Sequence, residues 1–262
     1  MRVLIYTIFA LFIICSKVLC SPLTGVVEKE NFYQNKLNRI VDNLSGNPVK
    51  NARVSIPSRG ISTVTDSNGY FKMDADINGP VILSVNAEGY RPFSLTATRE
   101  MFGKPFTLGI SKQKLNEIVI DSSLYHLGDD SFSESSANAD DFKLGSAGPS
   151  ITKRFYVSAL KPGQQAFIRI GSIIGLDTET AKSLRQNKIK FAASSPAQVY
   201  VNSQKIGELK INGDNQSIYF STGLLRENAQ NEVRIETGRN LSRYDYVDYD
   251  DIEIMNLILE MR

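Results

Sequence analysis

Short runs in which apolar and polar residues alternate recur along most of the chain, and they constrain the fold more than any other feature. Clusters rich in Gly, Asn, Asp and Pro separate these runs, for example NLSGNP, TDSNGYF, DINGP and AEGYRP. A period of two places successive side chains on opposite faces of a strand, and these turn residues tolerate the positive φ angles that hairpins need. No long segment keeps a helical period. The pattern therefore predicts an all-β protein whose strands pair into two β-sandwich domains.

The N-terminal segment predicts export. Arg2 precedes an apolar run over residues 3–15, which is too short to span a bilayer as a helix but is typical of the h-region of a signal peptide. We expect residues 1–20 to be a signal peptide that is cleaved after Cys20, which makes the protein secreted or periplasmic. Lipid modification of Cys20 is the alternative, although Leu19 is larger than the residue that normally precedes such a cysteine.

Composition excludes several classes of partner and chemistry. Both cysteines, Cys15 and Cys20, lie in the predicted signal peptide, so the mature chain would have neither disulfides nor thiol chemistry. Two of the 30 Lys and Arg residues leave with that segment, so 28 cations would balance 28 Asp and Glu residues. This balance argues against nucleic acid or an anionic membrane as a partner. No second apolar stretch is long enough for a transmembrane segment.

The first half carries three motifs in a fixed order: RIVDNLSGNPVKNARVSI, TVTDSNGYF and VILSVNAEGY. They resemble the carboxypeptidase regulatory-like domains, which have a transthyretin-like fold, over residues 25–120. The later KLNEIVI is similar to the last strand of that family. Residues 33–44 also fit one face of a helix, but the resemblance favours a strand at residues 36–42. It implies a scaffold, spacer or interaction module without an active site of its own.

The second half, residues 121–262, resembles the galactose-binding-type jelly roll. The motifs are YHLGDD, VYVNSQKIGEL, LLRENAQNEVRIETG and YDDIEIMNLILE, in that order. The resemblance implies carbohydrate binding, while the turn at residues 227–231 departs from the family in lacking a glycine, and the chain has no Trp for sugar stacking. DTETAKSLRQNK is expected to form one or two helical turns. In the last strand, Ile252 and Ile254 alternate on one face, and from Met255 onward the alternating apolar residues fall on the other face. This change near residues 255–256 predicts a β-bulge or a strand buried on both faces.

The titratable residues do not favour catalysis. His126 is the single histidine, so zinc binding and acyl transfer lack their usual groups, and we interpret His126 as a structural residue with satisfied hydrogen bonds. The carboxylates Asp248, Asp250, Asp251 and Glu253 could supply a glycosidase pair only in a desolvated cleft. On a small sandwich we expect them at the rim and fully ionised. The chain is therefore predicted not to be an enzyme.

A structural calcium ion is one hypothesis for the acidic residues. Calcium takes carboxylate and carbonyl oxygens, and Asp129, Asp130, Asp250 and Asp251 would meet if the first and last strands of the second sandwich were neighbours. The alternative is that these carboxylates are solvated or cap turns.

Sugar stacking is the other hypothesis, and it concerns the stretch RNLSRYDYVDY. Tyr244, Tyr246 and Tyr249 offer apolar ring faces, and Arg239 and Arg243 offer donors for hydroxyl groups. The spacing predicts that no single strand face holds all three rings. We therefore expect a non-catalytic protein that binds carbohydrate or a surface protein. The alternative is a structural or assembly protein that makes protein–protein contacts in an envelope or secretion complex.

Overall fold

A computed structural model describes residues 37–129, 142–187 and 193–262. The predicted signal peptide and Asp130 lie outside these ranges. The described residues form sheets joined by turns and a few short helical segments, so the predicted all-β class is confirmed. They belong to one compact unit, Lys36–Arg262.

The first sandwich consists of a three-stranded sheet in the order β4-β1-β7 and a four-stranded sheet in the order β3-β2-β5-β6. Its strands are β1 (Asn38–Asp42), β2 (Arg53–Ile56), β3 (Ile61–Val64), β4 (Tyr70–Phe71), β5 (Val81–Asn86), β6 (Phe93–Ala97) and β7 (Thr107–Ile110). Strand β1 forms where the resemblance favoured a strand over a helix. Alternate residues of β5, such as Val81 and Leu83, are buried in the core as their spacing predicted.

The second sandwich has two four-stranded sheets, in the orders β13-β10-β15-β8 and β12-β11-β14-β9. Its strands are β8 (Glu117–Leu127), β9 (Ser150–Val157), β10 (Gln165–Ile174), β11 (Ala197–Val201), β12 (Gln204–Leu209), β13 (Gly213–Ser221), β14 (Ala229–Glu236) and β15 (Ile252–Met261). Branched apolar side chains from both sheets, including Ile168, Val199 and Ile254, fill the space between them.

In the described ranges, helical structure is limited to short connections. The helices are Arg99–Phe102 and Glu179–Ser183, with 3-10 turns at Pro57–Arg59 and Thr222–Leu224. The second helix confirms the predicted helical turn, and it begins where the Thr178 hydroxyl accepts a hydrogen bond from the Ala181 amide. Within residues 37–129, 142–187 and 193–262, no helix has the length and apolar character needed to cross a membrane.

Strand β8 differs from the expectation for KLNEIVI. We expected this motif to end the first sandwich, but it begins an eleven-residue strand that pairs antiparallel with β15 of the second sandwich. The register opposes Ile118 to Leu259 and His126 to Glu253. The predicted boundary between residues 120 and 121 falls inside this strand, and the domain limits 25–120 and 121–262 stay predictions.

Strand β15 has both features that its changing parity predicted. All ten of its residues are buried, and its pairing with β8 shifts register between Met255 and Leu257. Asn256 lies at the shift with φ of 61°, a left-handed conformation that asparagine tolerates better than most residues. One face of β15 packs in the core of the second sandwich. On the other face Met255 joins a small cluster with Ile82 of the first sandwich.

The two sandwiches pack closely through small polar side chains. The hydroxyl of Ser172 on β10 donates to that of Ser94 on β6 at 2.9 Å, with both residues buried. The backbone N–H of Thr96 donates to Asp214 Oδ1 at 2.8 Å. Gly171 permits this approach, because an added Cβ would lie 2.5 Å from Ser94 Oγ and 2.7 Å from Asn256 Cβ. The first sandwich is thus a fixed platform for the sheet that carries β15.

Candidate functional site: the tyrosine loop

The tyrosine loop, residues 239–249, connects β14 to β15 and is closed at its base. Arg239 and Tyr249 form an antiparallel bridge. Two hydrogen bonds join the next pair of residues, Asn240 and Asp248. The Asn240 backbone N–H donates to the Asp248 carbonyl at 2.7 Å, and Asn240 Nδ2 donates to Asp248 Oδ2 at 2.8 Å. Both residues of this pair are buried. The loop is therefore held like a hairpin whose seven central residues project from a fixed base.

A neighbouring segment holds the same base from the side. The Ser195 N–H donates to the Arg239 carbonyl at 2.9 Å, and the Leu241 N–H donates to the Ala193 carbonyl at 2.7 Å. Gly238 allows this contact, because a Cβ at that position would lie only 1.8 Å from the Ser195 carbonyl oxygen. The start of the loop is thus fixed by two neighbouring stretches of backbone.

The tip of the loop presents apolar side chains to solvent. Tyr244 is 94% exposed and Tyr246 is 53% exposed, and Leu241 and Val247 beside them are also about half exposed. The loop borders an open concavity of about 560 Å³, whose lining residues are Arg239, Asn240, Leu241, Arg243, Tyr244, Asp245, Tyr246, Val247 and Asp248. Four of the five predicted ligand-binding residues therefore surround one space.

Tyr249, the fifth of these residues, is half-buried at the base of the loop. Its ring lies under the Arg239 guanidinium, with 5.4 Å between the guanidinium carbon and the ring centroid, and its backbone N–H donates to Asp129 Oδ1 at 3.2 Å. The three tyrosines thus do not share one face. Sequence reasoning missed Leu241 and Val247, which their apolar character within a polar stretch could have indicated.

The acidic residues beside the loop are placed differently from the expectation. Asp248, Asp250, Asp251 and Glu253 were predicted at the rim and ionised, but all four are buried. Their burial follows from contacts with other segments, since Asp248 bonds to Asn240, Asp250 to Asp177 and Asp251 to His126, while Glu253 lies within the buried strand β15. Alternation alone does not reveal these contacts. The rim prediction was wrong.

Burial changes the protonation of two of these acids. Burial raises the pKa of Glu253 to about 7, and the charges of His126 and Arg59 only partly oppose this shift. Burial also raises the pKa of Asp250 well above its usual range, and the nearby charge of Asp177 acts in the same direction. Both groups are enclosed, so they lie out of reach of a ligand in the concavity.

His126 has the structural role that its isolation suggested. It is fully buried, with Nδ1 2.6 Å from the Leu144 carbonyl oxygen and Nε2 3.0 Å from Asp251 Oδ1. Burial acts to lower the pKa of the imidazole, but the hydrogen bonds to Asp251 and Leu144 outweigh it and leave the pKa raised. The hydrogen bond to Asp251 ties β8 to the start of β15.

The residues proposed for calcium lie near one another along these paired strands but have separate partners. Asp129 Oδ1 accepts from the Tyr249 N–H at 3.2 Å, and Asp250 Oδ2 accepts from the Asp177 N–H at 3.1 Å. Asp251 binds His126, and Asp130 lies outside the described residues. In the part of the chain that the structure describes, no three His, Cys, Asp or Glu residues are grouped so as to hold a metal ion. Calcium binding stays a prediction.

Comparison with known proteins supports the assignment of the first half. Residues 39–120 match the CarboxypepD_reg-like domain family. The match extends from β1 to the first four residues of β8 and includes all three motifs on which the resemblance rested. The CarboxypepD_reg-like domain covers about a third of the chain, and the jelly-roll assignment of residues 121–262 stays a prediction.

Other comparisons add little. No curated protein matches the chain. Among solved structures, a glycosyl hydrolase family 2 member from Bacteroides cellulosilyticus DSM 14838 is 12% identical, with a TM-score of 0.29. The similarity covers 56% of this chain and 21% of that one, so the chain spans about a fifth of that protein's length. At this level of similarity nothing about function is transferred.

Proposed function

We propose that this is a secreted or periplasmic, non-catalytic binding protein whose tyrosine loop takes carbohydrate or another cell-surface ligand. The CarboxypepD_reg-like domain serves as the scaffold on which the second sandwich is fixed. One observation carries the proposal: an almost fully exposed tyrosine, Tyr244, stands on a loop whose base is hydrogen-bonded on two sides.

The physical reason is preorganisation. An exposed aromatic ring is costly to leave in water, and a sugar can cover it with the apolar C–H groups of its ring. The base of the loop is already ordered by its hydrogen bonds, so binding need not fix that part of the backbone. Arg239 and Arg243 add donors at the edge of the same concavity. These features fit a small polar ligand with apolar ring faces.

A glycan array with the full chain tests the proposal. We expect binding to at least one glycan class, and we expect Tyr244→Ala to weaken it about ten-fold or more. Tyr156→Ala is the matched control, because Tyr156 is 55% exposed on β9, away from the loop. An array without signal, or binding that Tyr244→Ala leaves unchanged, would show that the loop is not a carbohydrate site.

The alternative, a protein-binding role in assembly, also has an observation in its favour. Ten large hydrophobic side chains are exposed in the described part of the chain, and four of them lie at residues 241–247. Such clusters occur at protein interfaces. If the array is blank, cross-linking of intact cells through a photoreactive group at residue 244 distinguishes the two roles, because a specific protein adduct supports the alternative.

A further inference from the structure

The two arginines of the tyrosine loop share an arrangement that bears on the chemistry of the ligand. The guanidinium carbon of Arg239 lies 5.4 Å from the Tyr249 ring centroid, and that of Arg243 lies 5.5 Å from the Tyr246 centroid. A guanidinium over a ring is held in place, and its N–H groups remain free at the edge. Both arginines border the same concavity as Tyr244.

The charges around these arginines are unequal. Asp248 Oδ2 lies 3.9 Å from Arg243 Nε, and it also accepts from Asn240, so Arg243 is partly compensated. No carboxylate of the described residues forms an ion pair with Arg239. Asp245 is the other acid of the lining, and it is exposed to solvent. Of the two loop arginines, Arg239 is therefore the one without an ion-pair partner among the described residues.

Resting on the proposed function, we propose that the loop recognises an acidic carbohydrate, with the carboxylate of a uronic acid on Arg239 and the sugar ring against Tyr244. A planar guanidinium binds a carboxylate through two parallel N–H···O bonds, which are stronger than bonds to a neutral hydroxyl. The carboxylate of an acidic peptide could also bind the Arg239 guanidinium. The exposed ring face of Tyr244 beside it favours the flat, C–H-bearing face of a sugar.

The test compares ligands that differ only in the carboxylate. Trisaccharides of galacturonate, glucuronate and mannuronate are titrated into the full chain by calorimetry, each beside its carboxyl-reduced, neutral form. We expect at least one uronate to bind about ten-fold or more tightly than its neutral form. That difference should shrink as salt is raised from low to about 0.5 M, because an exposed charge pair is screened.

Variants locate the effect. Arg239→Gln should remove the preference for the acidic form, so that the acidic and neutral forms bind with about equal affinity, and Arg239→Lys should restore only part of the preference. Arg53→Gln is the matched control, since Arg53 is an exposed arginine on the first sandwich. A preference that survives Arg239→Gln would overturn the role of that residue.

The outcomes separate the two proposals. Equal binding of acidic and neutral forms, or array hits confined to neutral glycans, overturns the acidic ligand and leaves the carbohydrate function intact. Absence of binding to every trisaccharide and every array glycan overturns both. A poly-glutamate peptide that binds more tightly than any uronate overturns the acidic carbohydrate in favour of a protein ligand.

Discussion

Asn240 and Asp248 close the tyrosine loop through two hydrogen bonds, one between their backbones at 2.7 Å and one between their side chains at 2.8 Å. Asn240 Oδ1 also accepts from the Ser242 N–H at 2.9 Å. One amide side chain thus fixes both ends of the loop. The Asp248 carboxylate is buried, so it needs the hydrogen bond that the Asn240 amide donates to it.

Asn240→Ala should therefore loosen the loop and destabilise the protein. Removing the amide takes away the side-chain hydrogen bond of a buried carboxylate, which costs about 1–3 kcal/mol. Thermal melting measures this loss, and hydrogen exchange should show faster exchange at residues 241–247. Asn86→Ala, in which only a half-buried amide bonded to Ser84 is lost, serves as control. Unchanged exchange in the loop would contradict the closing role of Asn240.

The tyrosines should separate into binding and structural residues. Tyr244→Ala removes a ring that is almost fully exposed, so we expect a loss of ~1–2 kcal/mol in ligand affinity with little change in melting temperature. Tyr249→Ala should lower the melting temperature, since its half-buried ring packs against Arg239. Melting and calorimetry on both variants check this. Equal destabilisation by both, without a selective loss of affinity, would assign the loop a structural role.

Gly171→Ala should weaken the contact between the two sandwiches. The new methyl group on β10 would meet Ser94 Oγ and Asn256 Cβ at distances under 3 Å, so β6 and β15 would have to shift away from it. We expect a destabilisation of about 1–3 kcal/mol, as for other overpacked sites, measured by urea unfolding. Gly145→Ala is the control, because no atom lies within 4 Å of an added Cβ there. Equal effects of the two substitutions would show that the contact does not depend on Gly171.

Stability should fall as pH rises from mildly acidic values to about 8. Burial raises the pKa of Glu253 from 4.5 to about 7, so the folded state binds a proton that the unfolded state releases. This contribution is fully present below pH 4.5 and is lost as the pH rises through about 7. The raised pKa values of Asp250 and His126 act in the same direction.

Glu253→Gln tests the origin of this dependence. The neutral amide resembles the protonated acid, so the variant should gain up to roughly 3 kcal/mol over the parent protein at pH 8 and little at pH 4.5. Urea unfolding at both pH values gives the difference. A pH profile that is the same in parent and variant would show that Glu253 does not titrate in this range.

At low pH the opposite behaviour is expected from Glu260. Hydrogen bonds from Arg262, and secondly Arg169, lower the pKa of Glu260 to about 2. Its contribution is present above the unfolded-state pKa of 4.5 and is lost as the pH falls towards 2. Stability is thus expected to fall at low pH because of Glu260 and at higher pH because of Glu253 and Asp250. Together these effects predict a maximum of stability near pH 5, which a series of thermal melts across pH 2–9 can locate.

Local patterns predicted much of the fold. Alternation identified the buried face of β5, and turn residues marked the hairpins of the first sandwich. The parity change at residues 255–256 predicted the bulge of β15, because a single extra residue reverses which side chains face the core. These features depend on residues close in sequence.

Features that depend on distant segments were missed. The acids Asp250, Asp251 and Glu253 looked exposed because charged residues before a strand usually lie at a rim. Their burial involves segments far away in sequence, since Asp177 bonds to Asp250, His126 bonds to Asp251, and Arg59 lies near Glu253. The pairing of β8 with β15 is equally distant, so the resemblance of KLNEIVI to the last strand of the CarboxypepD_reg-like family did not reveal that its strand continues into the sheet of the second sandwich.

The position of β15 also has a consequence for the order of events during synthesis. It occupies an interior place in its sheet, between β10 and β8, yet it follows every other strand of that sheet in sequence. Until it leaves the ribosome, β8 and β10 each expose an unpaired edge, and among the described strands β8 has no other partner. The CarboxypepD_reg-like strands β1–β7 can assemble early, whereas the sheet of β8, β10, β13 and β15 can close only after β15 has been synthesised.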